Sequence, residues 1–471
     1  MHFLSPWDLI LPPFYLGIIY LIARSIQKKN IAKNPEYKYY IAGLFTKIIG
    51  GIGVVLIYCF YYVGGDTIGY FEGSTYLGRV FLKDPVCFLS IFSGNLSPEN
   101  WTCFDMNTGY PMYYPDYQSF SVIRFTSLLT LAGGTSFIVT TILIACITYQ
   151  GLWKLFRLFR EEFPELEKAM AFAILFMPSV AFWGSAILKD SFTLCASAWL
   201  VYCSYQIFIK NSQIGRNLVY ISISIYVLIS LKPYIFFAVF LGIMIMLSHF
   251  WIKKIKNAFL RSFLIPMLFT LLWGGGILLM IRLGSTVGGA YESVDSMLEK
   301  AVITQDDLKT SERYGKNTFD IGKFDPTIPG ILKKAPLAME AGLFRPYLWE
   351  CNNPVMLISG IENTVLVGLF AFVIILSSVA FFRLGPKYMF SAMYDNSLVV
   401  FSIIFSLSFA FFVGLTTANF GALVRYKIPL IPFLMAALFI IIRKYNREKE
   451  DEKERQKSVQ SSFKKFHRGN F

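Results

Sequence analysis

Charge is what this chain has least of. Only 16% of its 471 residues are Asp, Glu, Lys or Arg, against about a quarter in an ordinary soluble domain. Histidine is scarcer still. The chain has three, at His2, His249 and His467, which gives a histidine-rich metal site or a His-based triad little support. Its seven cysteines include no CxxC pairs, so the spacing of a zinc site is missing. There is no GxxxxGK[ST] phosphate loop, which argues against ATP hydrolysis. No alternating pattern of about ten-residue strands runs along the chain, which excludes an outer-membrane barrel. No cleavable signal peptide is read at the start. The apolar run from Leu9 has neither a basic segment before it nor a small-residue cleavage site after it.

What is present is apolar length. The chain is 55% hydrophobic with a mean hydropathy of +0.53, and apolar runs of about 18 residues or more recur along it. The expected fold is all-α: a polytopic membrane bundle of about 11 spans, each roughly 20 residues long. They are read at 8–24, 40–63, 134–153, 168–187, 191–209, 217–232, 234–252, 260–283, 356–381, 397–416 and 424–442. Residues 1–442 then form a single transmembrane domain. The tail 443–471 mixes both signs with few apolar residues and reads as solvated, without chemistry of its own.

The formal charge of +14 is not read as a nucleic-acid footprint. Basic residues concentrate in short loops beside spans: "RSIQKKNIAKNPEYK", "KLFRLFREEFPELEK", "KNSQIGRN", "WIKKIKNAFLR" and the tail from Arg443. Counting spans puts all of these on one side, so that side is read as the cytoplasm of a bacterial inner membrane. The N-terminus is then outside and the C-terminus inside. Two long segments, about 64–133 and 285–354, become outer loops. Within them "GRVFLKDPVCFLSIF" and "GILKKAPLAMEAGLFRPYLWE" look like amphipathic helices lying in the interface. Cys87, Cys103 and Cys351 fall in these loops, where one disulfide can form if that face is oxidising. Lys47, two turns into the second span, reads as snorkelling inward, and His249 as interfacial.

Cations on the outer edge run against the orientation rule and carry more information. They are Lys189 in "PSVAFWGSAILKDS", Lys232 in "SLKPY", Arg282, Arg345 in "LFRPYLWE" and Arg425 in "LVRYKIPLIP". Each alone has a bland reading as a snorkelling anchor or a solvated turn. Together they make a shared anion site the better reading. Acids fall on the same side: Asp66 after Gly64–Gly65, then Glu72, Glu350, and Glu362 about two turns inside the ninth span. Glu362 is read either as catalytic or as the partner of one of the arginines.

Three of these pieces carry a resemblance. "GGDTIGYFEG" resembles the acidic motif that the GT-C superfamily of membrane glycosyltransferases places in an early outer loop. "PSVAFWGSAILKDS" resembles their outer turn with a Pro, an aromatic and a Lys–Asp pair. "LVRYKIPLIP" resembles the Arg–Tyr–x–x–Pro segment that opens a late span. The related polymerases of exopolysaccharide and O-antigen repeat units share the pattern. The resemblance implies a GT-C-like fold, a catalytic or acceptor-orienting role for Asp66, and lipid-phosphate contacts for Lys189 and Arg425. Many of these enzymes carry two adjacent acids in the first outer loop. Here Thr67 follows Asp66 and the next acid is Glu72, so the identity of the base and the need for a divalent metal stay open.

The expected activity is glycosyl transfer, or repeat-unit polymerisation, from a polyprenyl-phosphate or -diphosphate donor to a glycan acceptor. Asp66 and Glu72 are the candidate acid–base residues. Lys189, Arg425, Arg345, Lys232 and Arg282 are the candidate contacts to the donor phosphate, with Tyr70, Asp190, Glu362 and Tyr426 in support. The aromatics of "YPMYYPDYQSF" would stack on sugar rings. Expected partners are the lipid-linked donor, the acceptor and membrane lipids, with no nucleic acid. Two other classes compete: a transporter of lipid-linked oligosaccharides, disfavoured because no repeat is visible, and a non-catalytic envelope scaffold.

Overall fold

The computed structural model describes residues 3–257, 317–322 and 327–447, with isolated residues elsewhere between 258 and 326. Most of the predicted span 260–283, most of 285–316 and the tail beyond 447 lie outside the described residues.

Among the described residues the architecture is helical, interrupted by one isolated antiparallel bridge between Thr318 and Asn419. The first half holds α1 (Trp7–Ile31), α2 (Tyr40–Phe60), α3 (Asp66–Lys83), α4 (Pro85–Ser93), α5 (Pro98–Trp101), α6 (Tyr117–Ala132), α7 (Phe137–Glu162), α8 (Glu167–Ala171) and α9 (Pro178–Trp183). Then come α10 (Lys189–Phe208), α11 (Ile214–Leu231), α12 (Pro233–Lys254), α13 (Ile328–Lys333), α14 (Ala335–Phe344), α15 (Pro354–Leu384), α16 (Pro386–Tyr394), α17 (Ser397–Thr416) and α18 (Phe420–Tyr426). The last is α19 (Ile431–Arg447).

Seven of these helices are long and apolar enough to cross a membrane: α1, α2, α7, α11, α12, α15 and α17. Counting α18 and α19 as one span bent by 65° makes eight. The chain is a multi-pass membrane protein. Helices α7 and α17 are mostly buried, whereas α1, α11 and α15 turn most of their apolar surface outward, as lipid-facing helices do. The predicted spans at 8–24, 40–63, 134–153, 217–232, 234–252, 356–381 and 397–416 each have a counterpart, and 424–442 is the bent pair. The predicted span 191–209 is the helix α10, too polar to qualify among the spans. About eleven spans are therefore not reached among the described residues.

The predicted span 168–187 is not one helix. After α8 the chain enters a π turn (Phe172–Phe176), becomes extended at Met177 and restarts at Pro178. Proline explains the break, because it has no N–H to donate and biases its predecessor out of the helical region. Irregular backbone at membrane depth is tolerated only inside protein, and partners are supplied here. Lys47 Nζ donates to the Gly184 carbonyl, and Ser191 Oγ donates to the Ala186 carbonyl at 2.7 Å. Close approach is possible because α2 presents glycine: a Cβ on Gly50 would lie 2.0 Å from the Ala181 carbonyl oxygen. Lys47 is thus wholly buried. It does not snorkel inward as expected, because a free carbonyl of the broken helix lies within its reach.

The segment 64–133, expected as outer loops, is largely helical, and α3 packs along α6. Small residues permit this contact: Gly73 faces Ile123, and the Ser74 and Thr130 hydroxyls lie 2.8 Å apart. The same Gly, Ser and Thr content keeps α3 from reading as an apolar run. Asp84 caps α4, accepting from Val86 N at 3.1 Å and Cys87 N at 3.0 Å. A Cys87–Cys103 disulfide ties α4 to the turn after α5, while Cys351 is free.

Contacts sort the loops into two ends. Asp8, at the start of α1, accepts from Ser136 Oγ at 2.6 Å and Ile138 N at 2.9 Å at the start of α7. That end also holds Asp66, Lys189, Lys232 and Arg425. At the other end Glu36 pairs with Arg157 at 3.2 Å and Arg160 at 3.7 Å, Lys210 pairs with Glu162 at 2.7 Å, and Lys253 donates to the Asp395 carbonyl at 2.6 Å.

Candidate functional site

The site begins where α2 stops. Val63, Gly64 and Gly65 all have positive φ, at 51°, 149° and 115°. Glycine is the residue that adopts such angles without strain, so the pair reverses the chain and starts α3 at Asp66. Asp66 is therefore a first-turn residue, with its side chain 43% exposed.

Arg425, in the last turn of α18, is the hub. Its Nη2 donates to Asp66 Oδ2 at 3.2 Å and also to Asp190 Oδ2 at 3.4 Å. Its Nη1 donates to the Tyr58 hydroxyl at 3.1 Å. Asp190, 1% exposed at the start of α10, takes a second cation on its other oxygen: Lys232 Nζ donates to Oδ1 at 2.5 Å. Lys232 also stands 3.8 Å from the centre of the Tyr426 ring, a favourable place for an ammonium. Two cations on one buried carboxylate offset its desolvation. Four segments remote in sequence thus meet at one point.

Around this hub the partners are looser. Tyr113 Oη donates to Asp66 Oδ1 at 3.3 Å, and its ring lies 4.9 Å from that of Tyr70. Burial, with the Asp66 carboxylate beside it, raises the Tyr113 phenol above its ordinary pKa. Lys189 has Asp116 as its nearest carboxylate, at 3.9 Å. Burial works against ionised Asp116, but Ser119, Lys189 and the first amides of α6 outweigh it and hold its carboxyl below the usual value.

Of the residues expected at the site, Asp66, Lys189, Asp190, Lys232, Arg425 and Tyr426 converge, with Tyr70 packed beside them. Glu72 does not join. It lies six positions after Asp66, about 240° round the helix, and points away without a hydrogen bond or ion pair among the described residues. Arg345 lies at the same end but on a separate pair: its Nε donates to Glu350 Oε1 at 2.9 Å. Its guanidinium rests 5.1 Å from the Phe319 ring. Glu362 pairs with no arginine among the described residues. It accepts from Ser179 N at 2.8 Å and Ser179 Oγ at 2.5 Å, capping α9, whose own N-cap Met177 has no side chain able to accept. Arg282 is exposed and helical, and the rest of its predicted span lies outside the described residues.

Several residues escaped the sequence reading. Tyr58 and Tyr113 contact the charged centre, though Tyr113 lies in the aromatic run already singled out. Lys427 is buried and donates to Asn363 Oδ1 at 2.6 Å and to the Leu343 and Arg345 carbonyls at 3.2 and 3.1 Å. Arg124, also buried, donates to Ser121 Oγ at 2.7 Å and to the Phe92 carbonyl at 3.1 Å. A lone arginine in the otherwise apolar run of α6 was the available signal. Among the described residues no group of three or more His, Cys, Asp or Glu is placed to hold a metal.

Comparison with family models, with curated proteins and with solved structures finds no match. The fold and the site define the class directly: a multi-pass helical membrane protein with a buried, charge-paired site at one end of its bundle.

Proposed function

We propose that this chain is a membrane-embedded glycosyltransferase or repeat-unit polymerase. Its donor is a sugar carried on a polyprenyl phosphate or diphosphate, and it works at the outer face of a bacterial inner membrane. The observation that carries this reading is the pairing of an exposed carboxylate, Asp66, with a guanidinium, Arg425, at 3.2 Å. In the reaction an acceptor hydroxyl oxygen attacks the anomeric carbon of the donor. The bond from that carbon to the phosphate oxygen breaks, and its electron pair leaves with the phosphate. The acceptor proton passes to the Asp66 carboxylate. Arg425 and Lys189 stabilise the charge that develops on the leaving phosphate. Asp190 and Lys232 are positioning residues, since both are buried and act by holding Arg425 in place. Tyr113 orients Asp66.

A second reading, transport of a lipid-linked oligosaccharide, is favoured by one observation, the broken segment around Met177–Pro178. Broken helices near the midplane are common in transporters. Here, however, the charges that reach that segment, Lys47 from α2 and Glu362 from α15, are occupied by the Gly184 carbonyl and by Ser179.

The test uses purified chain in vesicles, supplied with lipid-linked glycan extracted from the same cells. Wild type should release prenyl phosphate or diphosphate and lengthen the acceptor, while Asp66→Asn should not. Movement of intact lipid-linked glycan across the vesicle without release would refute transfer and favour transport.

A further inference from the structure

One nitrogen of Arg425 serves two carboxylates of unlike standing. Asp190 is 1% exposed and fastened by Lys232 at 2.5 Å, whereas Asp66 is 43% exposed and reaches Arg425 at 3.2 Å. The other bond to Asp66, from Tyr113, is 3.3 Å long. Asp66 also follows three consecutive positive-φ residues, the reversal that sets it in the first turn of α3. The charges are balanced as they stand: Asp66, Asp116 and Asp190 against Lys189, Lys232 and Arg425. A further anion therefore meets no unpaired cation here and has to compete with one of the acids for a donor.

We infer that Asp66 is a resident stand-in for phosphate on Arg425, so that phosphate binding displaces the Asp66 carboxylate and thereby frees it to act as base. Asp190 is too buried and too firmly held to be the one displaced. The Asp66 carboxylate is 43% exposed and takes one 3.2 Å bond from Arg425, so it is held less firmly than Asp190, which Lys232 and Arg425 share. A phosphate oxygen on a guanidinium forms shorter, charge-assisted bonds, so the exchange runs towards phosphate. Lys189, whose nearest carboxylate among the described residues is Asp116 at 3.9 Å, completes the phosphate contacts. The consequence is an order of events. Until phosphate arrives, Arg425 and Tyr113 occupy the carboxylate that would deprotonate an acceptor, so phosphate binds first and the acceptor second. The identity of the phosphate as the donor's, the role of Asp66 as base and the order of events rest on the transfer reading, whereas the exchange on Arg425 does not.

Equilibrium binding of a short-chain prenyl phosphate to the purified full chain in detergent tests the exchange. Asp66→Asn should bind roughly two- to fivefold more tightly than wild type, because the competing charge is gone. Arg425→Gln should bind much more weakly. Tyr113→Phe, which only loosens Asp66, should show a smaller rise and serves as a second variant should Asp66→Asn fold poorly. Unchanged or weaker binding by these two variants would overturn the inference. Inorganic phosphate is the parallel probe. A rise seen with prenyl phosphate alone assigns the exchange to a lipid headgroup, and the same rise with both assigns it to free phosphate. Tighter binding by Asp66→Asn in a protein whose wild type transfers no sugar would refute the transfer reading and leave the exchange standing.

Discussion

The two ends of the bundle both carry ion pairs, and they are built differently. At the Glu36 end, Glu36, Arg157, Arg160, Glu167 and Lys38 form a network in which the cations stay partly in water. These residues come from the turn before α2 and, 121 residues on from Glu36, from the end of α7 and the start of α8. At the Asp66 end the paired groups come from α3, α10, the α11–α12 turn and α18, and three of the four are largely buried. The first arrangement buries one carboxylate, Glu36 at 3% exposure, against Arg157 and Arg160, which keep contact with water, and its cations follow from the basic loops that orient a membrane protein. The second carries a desolvation cost that orientation does not require.

The comparison can be broken most sharply by topology. A periplasmic reporter fused near Asn317, which bonds to Asn419 just before α18 at 3.1 Å, should be active. One fused near Gly385, at the far end of α15, should be silent. The reverse pattern would put the Asp66 end in the cytoplasm and remove the outer-face assignment.

Stability separates the ends next. Asp190→Ala leaves Lys232 and Arg425 buried without their carboxylate and should destabilise the protein by about 3–5 kcal/mol. Glu36→Gln keeps the shape of that buried side chain and leaves Arg157 and Arg160, 31% and 29% exposed, able to turn to water, at a smaller cost of about 1–3 kcal/mol. Thermal melting in detergent reads both. Equal losses would mean that the two networks are alike in kind.

A finer cut lies within the Asp66 end. Arg425→Gln should lower transfer on the order of 10²–10³-fold, as loss of a donor to a developing anion does. Arg345→Gln should leave transfer within a few-fold of wild type, because Arg345 is engaged with Glu350 rather than with the hub. A comparable loss for both would return Arg345 to the site.

Much of this was legible in the sequence because orientation and burial leave a mark on charge. Lys189, Lys232 and Arg425 stood out as cations on the side where the rule disfavours them, and Asp66 as an acid after a glycine pair. What stayed hidden depended on tertiary distance. Glu72 shares a short motif with Asp66, yet helical phase turns it away. Arg345 looked like its fellow cations, but Glu350 lies five residues on and takes it. Glu362, read either as catalytic or as an arginine's partner, instead accepts the open amide of a helix whose break at Pro178 the sequence does not announce. Lys47 was assigned to the membrane edge because the carbonyl awaiting it, Gly184, belongs to that same break. The helices α3 and α6 were missed for a simpler reason: they pack through Gly, Ser and Thr, and hydropathy does not register such faces.

The most direct measurement is surface glycan in cells that carry Asp66→Asn or Glu36→Gln as their only copy, at matched membrane levels. If the Asp66 end does the chemistry and the Glu36 end only shapes the protein, Asp66→Asn cells lack elongated glycan while Glu36→Gln cells retain it. Normal glycan in the Asp66→Asn cells would contradict the assignment.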